Sequence, residues 1–147
     1  VSGRTKQYIN AFGEEVMVGN TDMAIANTSK EFDAIVSDYT VAPVFIDNGQ
    51  KGGHEWLIEF TREPADLDAF SRKLDQNLQA INSDYEAKRY KDMALTNLRI
   101  QALPKGTFME WMRYRGKLGG QNKVPRLCNS REYVDQIISF LREKSGK

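Results

Sequence analysis

Residues 54–60, HEWLIEF, alternate in character: His54, Trp56, Ile58 and Phe60 share one face, and Glu55, Leu57 and Glu59 share the other. A period of two with charges on one side predicts a strand buried on one face only. Leu67, Phe70, Leu74, Leu78 and Ile81 then recur at steps of three and four, which predicts an amphipathic helix after Pro64. Upstream, YINAFGEEVMV (8–18) reads as two short β segments meeting at Gly13. Residues 21–33 carry Ala24, Ile25, Thr28 and Phe32 at helical spacing. DYTVAPVFID (38–47) is rich in β-formers, and Pro43, which cannot donate to a ladder, places it at a sheet edge or a bulge. NGQKGG (48–53) has the composition of a hairpin turn.

Downstream, NSDYEAKRYKDMA (82–94) is too charged for its pattern to choose between loop and helix. LRIQAL (98–103) is a strand stopped by Pro104. Thr107-x-x-Glu110 has the form of a capping box and opens a helix bearing Phe108, Trp111 and Met112, which Gly116 can end. Asn129-x-x-Glu132 is a weaker cap for a last helix with Tyr133, Ile137, Ile138 and Leu141 inward. The order ββ-α-β-β-α-β-α-α predicts an α+β fold: a small sandwich of antiparallel or mixed β-sheet with helices packed on one face.

A chain of 147 residues suits a single domain, 1–147, with enough length for a core that needs no disulfide or structural metal. Its 21 basic and 20 acidic residues leave a net charge of +1, which gives no general attraction for nucleic acid or a membrane surface. The single cysteine, Cys128, cannot form an internal disulfide and points to a reducing, cytoplasmic setting. No apolar run approaches the roughly 20 residues of a membrane helix. The chain starts Val1-Ser2-Gly3-Arg4 without an initiator Met, which is expected of a piece of a longer polypeptide.

Three segments bear on chemistry. GKLGGQNKVPR (116–126) concentrates Gly116, Gly119 and Gly120 with Lys117, Lys123 and Arg126. Glycines let backbone N–H groups approach an anion, and the cations suit phosphate oxygens. The spacing is not that of a Walker A motif, and on composition alone a solvated connection fits better than a phosphate cradle. GRTKQYINAFGEEV (3–16) places Arg4 and Lys6 ahead of a β segment, as a frayed terminus also would. NSDYEAKR (82–89) offers Asn82 or Ser83 as caps, with Lys88 and Arg89 able to pair with Glu86 or Asp84. His54, alone of its type, reads as a half-buried histidine rather than a base, and no second histidine exists for a metal site. Trp56 and Trp111 read as core. Glu55 and Glu59 fit a solvated strand face as well as a carboxylate pair.

Taken in order, these segments resemble a known family. GRTKQYINAFGEEV, with Gly3, Arg4, Ile9 and Gly13, is similar to the hinge that opens the mobile C-terminal domain of adenylate-forming enzymes; the position often held there by Asp is Lys6 here. Asn82-Ser83-x-Tyr85, Gly106-Thr107-Phe108 and Gln121-x-Lys123-x-Pro125-Arg126 closely resemble the C-terminal domain of the Gretchen Hagen 3, or auxin-responsive, family of acyl-acid amido synthetases. The resemblance runs over residues 3–142.

The resemblance implies an enzyme that uses Mg-ATP to adenylate a carboxylic acid and then passes the acyl group to an amine, usually that of an amino acid. It implies an N-terminal adenylation domain holding most of the nucleotide, the Mg²⁺ and the acid. The C-terminal domain brings Lys123 to the phosphates as the catalytic cation, with Lys117, Gly119, Gly120, Gln121, Arg126, Arg4 and Lys6 at nucleotide-contacting positions. Arg126 either touches phosphate or holds its segment to the domain. No residue of this chain is expected to ligate a metal, and 1–147 alone is expected to be inactive. The competing expectation is a free-standing α+β module that binds a phosphorylated ligand or RNA through Lys117, Lys123 and Arg126.

Overall fold

The computed structural model describes residues 8–9, 16–46, 51–90, 95–114, 126–127 and 131–145. In chain order the elements are β1 (Tyr8–Ile9), β2 (Val16–Met17), α1 (Val18–Phe32), β3 (Ile35–Ile46), β4 (Lys51–Arg62), α2 (Leu67–Ile81), α3 (Ser83–Arg89), β5 (Arg99–Leu103), α4 (Thr107–Tyr114) and α5 (Glu132–Ser145). β1 and β2 form a small antiparallel ribbon. The main sheet has the order β3-β4-β5, with β3 antiparallel and β5 parallel to β4. The mixed sheet and the α+β class are those expected from the element order.

The helices lie on both faces of the sheet rather than on one. Trp56, Ile58 and Phe60 of β4 join a core with Ala24 and Ile25 of α1, Phe70, Leu74 and Leu78 of α2, and Tyr85 of α3. Leu57 of β4 joins a second core with Ala42, Leu103, Phe108, Trp111 and Met112, Val134 and Ile137, which belong to α4 and α5 from Phe108 onward. Hence β4 is buried on both sides from Gly52 to Phe60, and the expected solvated face does not exist. His54 is accordingly a core residue, 1% exposed, with its ring 5.5 Å from that of Tyr85.

β4 also starts earlier than the turn composition of 48–53 implied, at Lys51. Gly52 and Gly53 are strand residues lying against the segment that carries Thr96. Gly52 O accepts from Thr96 N–H at 2.8 Å, and a Cβ on Gly53 would sit 3.1 Å from Thr96 Oγ1. Gly13 and the remaining turn positions 48–50 lie outside the described residues.

The helix ends follow from local polar chemistry. Asp66 accepts from Ala69 N–H at 3.1 Å and starts α2. Asn82 serves two helices: its N–H donates to Leu78 O at 2.9 Å, closing α2, and its Oδ1 accepts from Tyr85 N–H at 2.8 Å, opening α3. Its Nδ2 reaches Asn20 Oδ1, the acceptor for Met17 N–H at the start of α1. Asp33 ends α1 in the left-handed region, at φ 56°, a conformation short Asx side chains tolerate.

The charged stretch at 82–89 is thus helical, and Arg89 turns to a carboxylate of the preceding helix. It donates through Nε to both oxygens of Asp75, at 3.0 and 2.8 Å. Asp75 is 1% exposed and also accepts from Gln79 and from the Tyr85 hydroxyl. A buried carboxylate needs such a set of donors, since the hydration it loses would otherwise go uncompensated.

The two-sided burial of β4 is testable at Leu57, which is fully buried in the second core. Leu57→Ala should lose about 2–5 kcal/mol of unfolding free energy, as deleting a core leucine does. Equilibrium urea unfolding measures this; a loss under about 0.5 kcal/mol, the scale of a surface substitution, would return that face to solvent.

Candidate functional site

The glycine-rich basic segment is bounded by two described features, the end of α4 at Tyr114 and the short stretch Arg126–Leu127. Two buried carboxylates on the expected solvated face of β4 organise its surroundings. Glu59 Oε2 accepts from Gly106 N–H at 3.0 Å, and Oε1 accepts from Phe108 N–H at 3.1 Å. A carboxylate at a helix N-terminus satisfies unpaired donors and meets the positive end of the helix dipole. The expected capping box is not formed in this way: Thr107 is already the first residue of α4, and its hydroxyl donates to Pro104 O at 2.6 Å. Gly106, at φ 84°, makes the turn that lets Glu59 take both N–H groups.

Glu55, the second carboxylate, accepts from Gln101 Nε2 and from Arg131 Nη2, both at 2.8 Å. Arg131 also reaches Asp135 at 3.1 Å and donates to Pro43 O at 3.1 Å. Burial alone would lower the guanidinium pKa, but the hydrogen bonds to Glu55 and Asp135 raise it above its usual value. Arg131 therefore stays charged and ties the start of α5 to the sheet. Glu55 and Glu59 are thus not a catalytic pair; each is committed to a different helix.

Arg126 is held on the outer edge of β3. Its carbonyl accepts from Val41 N–H at 2.8 Å, and Leu127 forms a parallel bridge with Val41. The alternation of a ladder then fixes the rest of that edge. Pro43, two residues on, also faces outward, so its missing N–H removes nothing from the β3–β4 ladder. Tyr39, two residues back, has its N–H taken by Asp38 Oδ1 at 2.9 Å. β3 is the edge strand that Pro43 implied, and its register shifts fall between Ile35 and Asp38, away from the proline.

The Arg126 side chain meets a polar cluster. Nη1 lies 3.3 and 3.4 Å from the two oxygens of Asp22, Nε lies 3.6 Å from Asp38 Oδ1, and the guanidinium sits over the Tyr39 ring at 5.4 Å. Tyr39 itself donates its hydroxyl to Asp22 Oδ1 at 2.5 Å, with Thr21 Oγ1 2.8 Å away, and stacks on Trp56 at 5.2 Å. Burial, followed by the hydrogen bond to Asp22, pushes the phenol far above its ordinary value near 10. Beside this cluster runs a groove of about 410 Å³ between α1 and the start of β3, floored by Ile25, Ala26, Ala34 and Val36.

Of the sequence-derived site residues, the structure therefore places Arg126, and places it against Asp22, Asp38 and Tyr39. Arg4, Lys6, Lys117, Gly119, Gly120, Gln121 and Lys123 lie outside the described residues, as do Gly116, Pro125, Cys128 and Asn129. Asp22, Tyr39 and Arg131 were not legible as site residues, and Glu59 was legible only as half of a carboxylate pair. No short motif marks them, because each acts across more than 40 positions or across a sheet. Among the described residues, no three His, Cys, Asp or Glu side chains gather to hold a metal. Trp56 and Trp111 are core, 0% and 1% exposed.

The family model for the GH3 family C-terminal domain matches residues 19–132. The chain belongs to the GH3 family. Two solved structures share the fold of this GH3 domain. One is described as a GH3.15 acyl acid amido synthetase, with a TM-score of 0.71 and 16% identity, over 92% of this chain and 26% of that one. The other, an AtGH3.15 acyl acid amido synthetase in complex with 2,4-DB, has a TM-score of 0.70 at 16% identity, with the same coverage of 92% and 26%. The chain thus spans about a quarter of the length of either synthetase. No functionally curated protein matches it. No helix among the described residues is long and apolar enough to cross a membrane.

The Tyr39 phenol yields a pH test. Its folded pKa is raised above the unfolded value, so its contribution to stability is complete below about pH 10 and is lost as pH climbs above that. Unfolding free energies measured from about pH 8 to 11 should fall with pH, and Tyr39→Phe should show a shallower fall. An identical slope in the variant would show that Tyr39 is not held neutral by the fold.

Proposed function

We propose that this GH3 domain is the C-terminal part of an ATP-dependent acyl-acid amido synthetase, and that Lys123 is the cation it delivers to the reaction. The observation that carries the reading is the family match over 19–132, which includes the whole basic segment. The 92% coverage of this chain by a synthetase fold supports it further. In the proposed reaction a carboxylate oxygen attacks the α-phosphorus of ATP. The new acyl–phosphate bond forms as the bond to the β-phosphate oxygen breaks, and pyrophosphate leaves. The amine of an amino acid then attacks the acyl carbon, the nitrogen gives up a proton to solvent, and AMP departs with the bonding pair of the acyl–oxygen bond.

The chain's own part is electrostatic. Charge grows on the α-phosphate oxygens and on departing pyrophosphate, and a lysine ammonium delivered where water is excluded stabilises that charge. A point cation on a flexible stem suits a step in which the anion moves away. ATP, Mg²⁺ and the acid belong in this reading to an N-terminal adenylation domain, and the enzyme works in the cytoplasm. Lys117, Gly119, Gly120, Gln121, Arg4 and Lys6 remain nucleotide-side positions by motif. Arg126 takes the second of its two expected roles, holding its segment to the domain, since its guanidinium already faces Asp22, Asp38 and Tyr39. The same engagement weakens the free-standing RNA-binding module, which needed Arg126 turned toward a ligand.

In the full-length gene product, ATP–pyrophosphate exchange screened across carboxylic acids should reveal an activating acid. Lys123→Ala should reduce that exchange by about 10²–10³-fold, the scale for one preorganised charge-stabilising group. Unchanged exchange would remove Lys123 from the mechanism. Residues 1–147 alone should form no acyl-adenylate; product from that fragment would overturn the division of labour.

A further inference from the structure

We infer that the groove between α1 and the start of β3 binds a small apolar amine with a polar far end, held by its ammonium group. The groove arises where one helix face lies along one strand. Asp22, Ile25, Ala26 and Ser29 recur at steps of three and four along α1, so they share a face. The chain opposite runs back along that face. Ala34 N–H donates to Ser29 O at 2.9 Å at one end, and the Tyr39 hydroxyl donates to Asp22 Oδ1 at 2.5 Å at the other. Between these ends the lining is apolar: Ile25, Ala26, Ile35 and Val36. From Asp22 to Ser29 the helix rises about 10 Å. The space is about 410 Å³, at the small end of ligand-pocket sizes. Ile35 is 46% exposed, which leaves apolar surface for a ligand to cover.

The charged end selects the sign of the ligand. It sets two carboxylates, Asp22 and Asp38, against one guanidinium, Arg126. Tyr39 adds no charge, because burial and its bond to Asp22 keep the phenol protonated. The lining is therefore net negative and favours a cation over an anion. Asp38 makes both of its contacts through Oδ1, to Tyr39 N–H at 2.9 Å and to Arg126 Nε at 3.6 Å. Its Oδ2 has no partner among the described residues, and an ammonium N–H donates to such an oxygen in a charge-assisted bond. At the other end the Ser29 hydroxyl oxygen is buried and, among the described residues, has no hydrogen-bond partner. A buried hydroxyl left unpaired is unfavourable, and a polar group on the far end of the ligand would pair it. An ammonium, an apolar body and a polar tail thus match the groove in order along its length. The site stands apart from the proposed adenylation and does not depend on it.

The test is NMR of the full-length gene product, labelled at its isoleucine methyl groups and titrated with 5-amino-1-pentanol near neutral pH, where an alkyl amine is protonated. The Ile25 and Ile35 signals should shift with a dissociation constant of about 1–10 mM, the range for a ligand of so few atoms. Pentane-1,5-diol keeps the body and tail and loses the charge; it should bind about fivefold more weakly. The carboxylate analogue, 5-hydroxypentanoate, should leave both signals in place. Asp38→Asn keeps the acceptor for Tyr39 N–H and removes the open charge. It should weaken the amine by about fivefold, the upper end for a partly exposed ion pair. Ala26→Trp fills the groove from an exposed position on α1 and should abolish the shifts. If the larger side chain disturbs the helix, the near-isosteric Asp38→Asn still decides. Equal shifts from amine and diol, full binding in Asp38→Asn, or no shift at about ten times the expected dissociation constant overturns the inference. So does binding that survives in a folded Ala26→Trp. None of these results alters ATP–pyrophosphate exchange, so the failure of this site and the failure of the synthetase reading are told apart.

Discussion

A central strand buried on both faces cannot leave a carboxylate unpaired, and this constraint organises the domain. β4 carries Glu55 and Glu59 on the side covered by α4 and α5, at 9% and 8% exposure. Desolvating either charge is costly unless donors converge on it. Glu59 is satisfied by the N–H groups at the start of α4, and Glu55 by Gln101 and by Arg131 at the start of α5. The need for donors on β4 thus sets where two helices begin. α4 leads into the basic segment, and α5 follows its return.

The outer edge of β3 is governed by the same accounting of backbone groups. An edge strand offers N–H and C=O groups that water or another chain would otherwise take. Here Asp38 occupies the N–H of Tyr39, Arg126 O occupies that of Val41, Pro43 has none, and Arg131 takes the Pro43 carbonyl. The return of the chain at 126–127 completes this edge. It also gives the stretch Gln121-x-Lys123-x-Pro125-Arg126 a last residue held on the sheet edge. The catalytic proposal and the closure of the sheet edge meet at that one arginine.

The amphipathic spacing of α2, the β-rich stretches and the resemblance of three motifs were legible along the chain, because each depends on neighbours a few residues apart. The reading of 54–60 as half-buried failed for a physical reason. Glu-x-Leu-x-Glu presents the same alternation whether its charges face water or buried donors, and the donors come from residues 101, 106, 108 and 131. Thr107-x-x-Glu110 has the form of a capping box, yet a carboxylate 49 positions away reached the helix start first. Asp75 sits in what reads as the polar stripe of α2, and only the packing of α3 against it shows a buried acceptor bound by Arg89 and Tyr85.

By itself the sequence determined the class of elements, their approximate limits and the family, since periodicity, turn chemistry and short motifs are local properties. The tertiary structure decided that helices cover both faces of the sheet and that Glu55 and Glu59 are structural. It decided as well that Arg126 faces Asp22 and Tyr39. Those outcomes depend on which distant donor meets which buried acceptor, and that pairing exists only once the chain has closed on itself.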